Sequence, residues 1–365
     1  MKKRFGFLLF CFLSSFSFAQ GYTVTELTSL SNDLFECSGL IYLDERLIGH
    51  MDSGDDSYLY EIDSVDGGIN RVVFVDNSSS WDWEDITKDE DYIYVADIGN
   101  NSGDRTNLMI FRISVSDYLT TPNDTVVADT IYFSYEDQTD FTPSVYDTNF
   151  DAEGLISIGD SLYIFTKNWI DNETNIYVLP KVPGTYEAEL IDNLNTEGLV
   201  TGASRNPNNG NIALCGHTLT TPFVVLIRNL SGQDFSSANF LRLTPPINES
   251  IQVEGIAAIG NGCYYLASED NITGDATLHR ICLASNVGID QNTKEALYFH
   301  PNPAQHYITL NTDQFERTEL YDLSGKLIFQ TQEKTIDVRP FKGGNYIVKA
   351  YFKNHQMVQQ QIVIE

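Results

Sequence analysis

The chain has 365 residues, 42% of them hydrophobic, enough to build packed cores in roughly two domains. Its 22 Lys and Arg stand against 51 Asp and Glu, a formal net charge of −29. That balance argues against nucleic acid as a partner, since phosphate binding needs clustered basic side chains that displace counterions, and it disfavours anionic lipid surfaces for the same reason.

The first element reads as an export signal over 1–19. Met1-Lys2-Lys3-Arg4 is a basic n-region, and Phe5 to Phe16 is an apolar stretch too short to span a bilayer comfortably. Ser17-Phe18-Ala19 sets small residues at the third and first positions before Gln20, so cleavage is expected between Ala19 and Gln20. No later segment approaches the roughly 18 uninterrupted apolar residues of a membrane span, so the mature chain is expected to lack a transmembrane segment.

From Tyr22 onward the texture is that of an all-β protein. Period-two runs such as Tyr92-Ile93-Tyr94-Val95, Thr130-Ile131-Tyr132-Phe133 and Leu162-Tyr163-Ile164-Phe165 are separated by Gly, Asn, Asp and Pro. A short phrase also returns: Ser38-Gly39-Leu40, Glu84-Asp85-Ile86, Glu153-Gly154-Leu155, Glu197-Gly198-Leu199 and Glu254-Gly255-Ile256, at intervals of 46, 69, 44 and 57 residues. Each phrase opens a succession of strands of the size of a four-stranded propeller blade. The fifth succession lacks a fourth strand, and Tyr22 to Leu27 is an orphan strand that would complete it. The expected fold of 20–285 is therefore a five-bladed β-propeller. A six-bladed ring is the nearest rival, because the longest interval contains the polar segment 137–150, and a pair of stacked β-sandwiches is a third possibility.

Blade-opening strands line a propeller's channel, so Glu84, Glu153, Glu197 and Glu254, with Ser38 in the first blade, are expected to form a ring. Converging carboxylates must raise their pKa values, pair with cations or bind a metal, and calcium, a hard cation preferring carboxylate oxygens, suits such a ring best. One strand outward, Asp52, Asp97, Lys167, His217 and Glu269 are expected near one mouth of the channel, with Arg105 and Asn100-Asn101 as donors for an anionic group. This set is compatible with metal-assisted phosphoester hydrolysis and equally with plain binding of a small-molecule or surface ligand. The alternative is structural: each Glu accepts backbone N–H groups of the adjoining blade, with Gly supplying a conformation other residues resist. No GxSxG, HExxH or P-loop occurs, His50 reads as a satisfied blade residue, and Trp81 and Trp83 read as packing between blades, with carbohydrate binding open.

Four cysteines follow the signal. Cys263 and Cys282 flank an expected hairpin and suit a cross-strand disulfide, whereas a Cys37–Cys215 bond follows only by elimination. No CxxC or nearby His supplies zinc spacing.

A polar linker is expected over 286–295 and a small β-sandwich of about seven short strands over 296–365. Pro301-Asn302-Pro303-Ala304, Tyr321-Asp322-Leu323-Ser324-Gly325-Lys326, Gly343-Gly344-Asn345-Tyr346-Ile347-Val348 and the terminal Ile362-Val363-Ile364-Glu365 resemble the sorting domain of type IX secretion cargo from Bacteroidetes. The resemblance implies passage through the outer-membrane translocon by way of 296–365, and delivery to the medium or the outer cell surface. More loosely, Asp82-Trp83-Glu84-Asp85-Ile86, Asp97-Ile98-Gly99-Asn100-Asn101 with Arg105, Asp151-Ala152-Glu153-Gly154-Leu155 and Thr166-Lys167 resemble secreted propellers of the esterase-like phytase group. That likeness implies a propeller and leaves open a calcium-dependent phosphoester or ester hydrolase.

Overall fold

The computed structural model describes residues 21–364 apart from 53–56, 219–220, 248–251, 270–274, 284–298, 301–302, 311–314, 323–325 and 352–356. The expected signal peptide and linker lie outside the described residues. The chain divides into two compact units, Met1–Val287 and Gly288–Glu365.

The first unit begins with β1 (Tyr22–Ser29) and then repeats one antiparallel plan. Its first repeat is β2 (Cys37–Leu43), β3 (Arg46–Met51), β4 (Tyr58–Ile62) and β5 (Ile69–Asp76). Next come β6 (Trp83–Lys88), β7 (Tyr92–Asp97), β8 (Leu108–Ser114), the short helix α1 (Val115–Thr120) and β9 (Thr125–Tyr135). A third set is β10 (Ala152–Ile158), β11 (Ser161–Thr166), β12 (Thr174–Pro180) and β13 (Gly184–Leu194), followed by β14 (Leu199–Arg205), β15 (Ile212–His217), β16 (Pro222–Arg228) and β17 (Asn239–Leu243). The last three strands, β18 (Val253–Gly260), β19 (Cys263–Ser268) and β20 (Thr277–Leu283), take β1 as their outer partner, Val24 opposite Ile281. The architecture is all-β and propeller-like. Segment 137–150 contains no strand and runs as a loop.

Burial follows position in each repeat. The opening strands are buried along almost their whole length, as in β6 and β10, because neighbouring repeats cover both faces. The outer strand β9 alternates buried and exposed residues, the mark of one wet face. Apolar side chains of adjacent repeats share cores: Ile48 and Val73 with Trp83 and Phe111, Ile110 with Leu155 and Tyr177, Phe165 with Leu214 and Phe223, Val224 with Ile256 and Tyr264, and Leu266's neighbour Ala267 with Leu40 and Leu47. Outer strands also pair across repeats, β9 running parallel to β5 at one end and to β13 at the other, so these edges do not stand open.

The glycines of the repeated phrase are explained by proximity rather than by unusual backbone angles. A Cβ on Gly255 would lie 2.2 Å from the Ser38 carbonyl oxygen, and one on Gly39 would lie 2.6 Å from the Ile86 amide nitrogen. Inner strands approach that closely only where a side chain is missing.

Cys263 and Cys282 are disulfide-bonded across β19 and β20. Cys37 and Cys215 are both free and buried, so the pairing reached by elimination does not form. Each thiol packs in a different apolar cluster, between different pairs of repeats.

The second unit contains β21 (Phe299–His300), β22 (Tyr307–Leu310), β23 (Arg317–Tyr321), β24 (Leu327–Thr331), β25 (Thr335–Asp337), β26 (Gly344–Tyr351) and β27 (Met357–Ile364). They form sheets ordered β21-β22-β25 and β24-β23-β26-β27 around Phe299, Ile308, Leu320, Val348 and Ile362. Among the described residues no helix is long and apolar enough to cross a membrane.

Candidate functional site

Every opening strand carries a register break near its start: between Cys37 and Leu40, Trp83 and Asp85, Ala152 and Gly154, Val200 and Gly202, and Val253 and Gly255. A bulge leaves one residue unpaired and re-aims its side chain. The residues so placed are Ser38, Glu84, Glu153, Thr201 and Glu254. Glu197, expected in this ring, is instead exposed in the turn before β14, with φ of 54°, and Thr201 takes its place. The Glu-Gly dipeptide there is a decoy lying outside the strand. Counting from Thr201 makes the neighbouring intervals 48 and 53 residues, more even than before. The two hydroxyls tie repeats together, Ser38 Oγ donating to the Glu84 carbonyl and Thr201 Oγ1 to the Val253 carbonyl.

Among the described residues two groups of carboxylates converge here: Asp52, Asp82 and Glu84, and Glu84, Asp151 and Glu153, each with oxygens within 4.8 Å of one another. In the second group Glu153 and Asp151 have side-chain partners. Lys167 Nζ reaches Glu153 Oε1 at 2.7 Å, while Asp151 accepts the Asn100 N–H at 2.6 Å and Trp169 Nε1–H at 2.7 Å. In the first group no ion pair among the described residues reaches Asp82 or Glu84. Burial and then the charges of Glu153, Asp52, Asp82 and Asp151 push Glu84 well above the usual carboxylate range. Burial, reinforced by Asp52, pushes Asp82 up to about 7 against the pull of Arg105. A Cβ on Gly99 would lie 2.1 Å from Glu84 Oε1 and 2.4 Å from Asp82 Oδ2, so this glycine keeps the space between the two carboxylates open.

The strand-end residues surround this core. Lys167 is buried beside Trp169, its Nζ 4.9 Å from the ring centroid. Burial opposes its charge, but Glu153, Glu254, Asp151 and Glu84 outweigh that opposition and hold the ammonium well above the ordinary lysine value. His217 donates Nδ1–H to the Thr218 carbonyl at 2.9 Å and turns Nε2 toward Glu254 Oε1, 3.9 Å away; burial and then Lys167 lower it to about 4. Glu269 is raised to about 7 by burial and Asp52, and accepts from Gln252 Nε2 at 3.2 Å.

Asp97 and Arg105 do not join them. Trp83 pairs with Asp97 as Ala152 pairs with Thr166 and Val253 with Ser268, so the counterpart of Lys167 and Glu269 is Ile98. A one-residue slip sends a strand's side chains to the other face. Asp97 is fully buried and bound to Arg105 Nη2 at 2.7 Å; Arg105 also donates to the Gly99 carbonyl at 2.6 Å. The Asn100 amide is spent as well, Nδ2 on the Phe150 carbonyl and Oδ1 on the Arg105 N–H. These groups clip a loop and are not available to an anionic ligand. His50 is fully buried, donating Nδ1–H to the Met51 carbonyl, with Trp83 edge-on at 5.6 Å. Trp83 packs inside as expected, but Trp81 is 66% exposed.

Asp82, Asp151 and Asp85 stand in the sequence only as members of the propeller-like phrases, with no place in the expected ring. The first two carry a signal that could have been read, the Asp-x-Glu spacing shared by Asp82-Trp83-Glu84 and Asp151-Ala152-Glu153.

The second unit's strands and terminal phrases point to one family. Residues 298–365 match the secretion system C-terminal sorting domain. A chain ending in this sorting domain is an exported protein that interacts with a secretion system. No curated protein matches the chain. Similar solved structures include a glucose dehydrogenase (11% identity, TM-score 0.41, covering 71% of this chain and 99% of that one). Others are a hypothetical protein from Leishmania major (14%, 0.38, 71% and 89%) and the Dos1 propeller (12%, 0.33, 89% and 77%). At these values the likenesses say nothing about chemistry.

Proposed function

We propose that the mature protein is a cell-surface or secreted five-bladed β-propeller whose channel binds a divalent cation, calcium by its chemistry. Residues 296–365 would deliver it through the type IX translocon after loss of residues 1–19. The closed ring is supported by opening strands that neighbour one another in turn, β18 beside β2 included, and by a shared core between each adjacent pair.

The observation that carries the cation reading is the group Asp52, Asp82 and Glu84, joined by the space that Gly99 leaves between two of them. Three carboxylates at this separation repel in a poorly solvated setting unless protonated or bridged by a cation. A hard ion with flexible oxygen coordination fits, and these three acids would supply part of the six to eight oxygens that calcium takes. This set replaces the four-glutamate ring: Glu153 is engaged by Lys167, and Glu254 lies beside His217. With Arg105 and Asn100 committed to their loop and Lys167 to Glu153, no observation favours the hydrolase reading.

Calorimetric titration of the metal-free mature protein with calcium tests the proposal. Binding at the parent site should weaken at least about tenfold in Asp82→Asn and in Gly99→Ala, the latter by intruding on the two carboxylates. Absence of calcium-dependent heat in the parent, with no metal by elemental analysis of the protein as isolated, would overturn it.

A further inference from the structure

In the first unit, the turns from second to third strand and from fourth strand to the next repeat share one end, and they are laced together. Trp81 N–H donates to Asp97 Oδ2 at 3.3 Å, Tyr146 N–H to the Asn101 carbonyl at 2.9 Å, and Ile170 N–H to Asn149 Oδ1 at 3.2 Å. This end carries the exposed apolar side chains Phe35 (46%), Trp81 (66%), Phe141 (38%), Val145 (63%), Tyr146 (59%) and Ile170 (61%). Tyr146 packs against Trp169 with ring centroids 4.4 Å apart, and apolar groups gathered on laced loops, unlike ones scattered singly, mark an interaction surface.

The charge of the same loops says what they would meet. The described segments 29–37, 76–83, 97–108, 135–152, 166–174 and 194–199 each contain acids, and the only Lys or Arg residues in them are Arg105 and Lys167. Both are already paired inward, with Asp97 and Glu153. At the opposite end of the strands Lys88, Lys181, Arg205 and Arg228 relieve the acidity. An apolar, aromatic and uniformly anionic face complements a ligand that is apolar and cationic together.

We propose that this end docks an extended polypeptide segment presenting Lys or Arg side chains between apolar ones, the apolar residues resting on Trp81, Tyr146 and Ile170 and the basic ones turned to the acids of the loops and channel mouth. The inference stands on the exposed rim and its charge, and does not depend on the channel holding a metal ion.

Fluorescence anisotropy on the full mature protein tests it, with a labelled synthetic peptide of alternating Arg and Leu, its counterpart with Glu in place of Arg, and a neutral oligosaccharide as probes. The Arg-Leu peptide should bind, less tightly as salt rises, and about tenfold less tightly to the Trp81→Ala/Ile170→Ala variant. Val65→Ala/Val182→Ala, two exposed changes at the other end, should bind it as the parent does. All of these positions are exposed, and unchanged melting temperatures would show that the variants fold. Equal binding of the Glu-containing peptide, binding of the oligosaccharide alone, or an unaffected Trp81→Ala/Ile170→Ala variant would overturn the proposal.

Discussion

The carboxylate of Asp85 accepts the backbone N–H of Leu155 at 2.8 Å, joining the opening strand of one repeat to that of the next. The same oxygen takes the Ala203 N–H from a third repeat at 3.0 Å, and the other takes the Ile86 N–H at 2.8 Å. This is the locking role that the structural alternative gave to the repeated glutamates. It falls to the neighbouring aspartate because the bulge at Glu84 turns consecutive side chains to different surroundings.

Removing that carboxylate should therefore cost more than any rim substitution. Asp85→Ala strands the buried N–H groups of Leu155 and Ala203, each worth about 1–3 kcal/mol when left without a partner. Urea unfolding should register a loss on the order of 3 kcal/mol or more, whereas Trp81→Ala should change stability by less than about 0.5 kcal/mol. Equal effects would show that Asp85 does not bind the repeats together.

The channel acids make a signed prediction about pH. Burial and then Asp52 raise Asp82 to about 7, so its proton is held more tightly in the folded state than in the unfolded chain. Its contribution to stability is present below the unfolded value and is lost as pH rises through about 7. His50 and His217 act oppositely, lowered by burial to about 4, so their contribution is lost as pH falls below 6.5. Comparing the metal-free parent with Asp82→Asn isolates the carboxyl. The variant should melt higher at pH 8, with the difference shrinking toward pH 4, and saturating calcium should restore the parent far more than the variant. A difference that is constant with pH would contradict the assignment.

The two free thiols should be inert in the folded protein. Both are fully buried, and burial raises Cys37 to about 12 and Cys215 well above its ordinary value, so neither presents a thiolate. A thiol-specific reagent should label nothing in the native mature chain and both cysteines in denaturant, with Cys263 and Cys282 protected until reduction. Rapid native labelling at Cys37 would show that the contact between the first and last repeats opens readily.

Export is tested by truncation before the sorting domain. A chain ending ahead of residue 298 should fold, because the first unit has its own cores, yet accumulate in the periplasm. Its appearance in the medium at the parent's level would show that another part of the chain carries the address.

The local alternation of apolar and polar residues was enough to identify an all-β chain, and the orphan strand at Tyr22 to Leu27 was enough to find its partner near Cys282, because strand pairing rewards a pattern that is written locally. The terminal sorting domain was legible for a similar reason, its phrases standing in order within a short segment. The site was not legible in the same way. Whether Glu197 or Thr201 enters the ring, and whether Asp97 or Ile98 ends the second strand facing it, turns on one bulge or one residue of register, and a shift of that size reverses every side chain without disturbing the hydrophobic period. Arg105 and Lys167 read alike as free cations in the sequence. Only the tertiary structure decided that one clips a loop while the other neutralises Glu153, because both partners are brought together by packing between elements that the local pattern does not record.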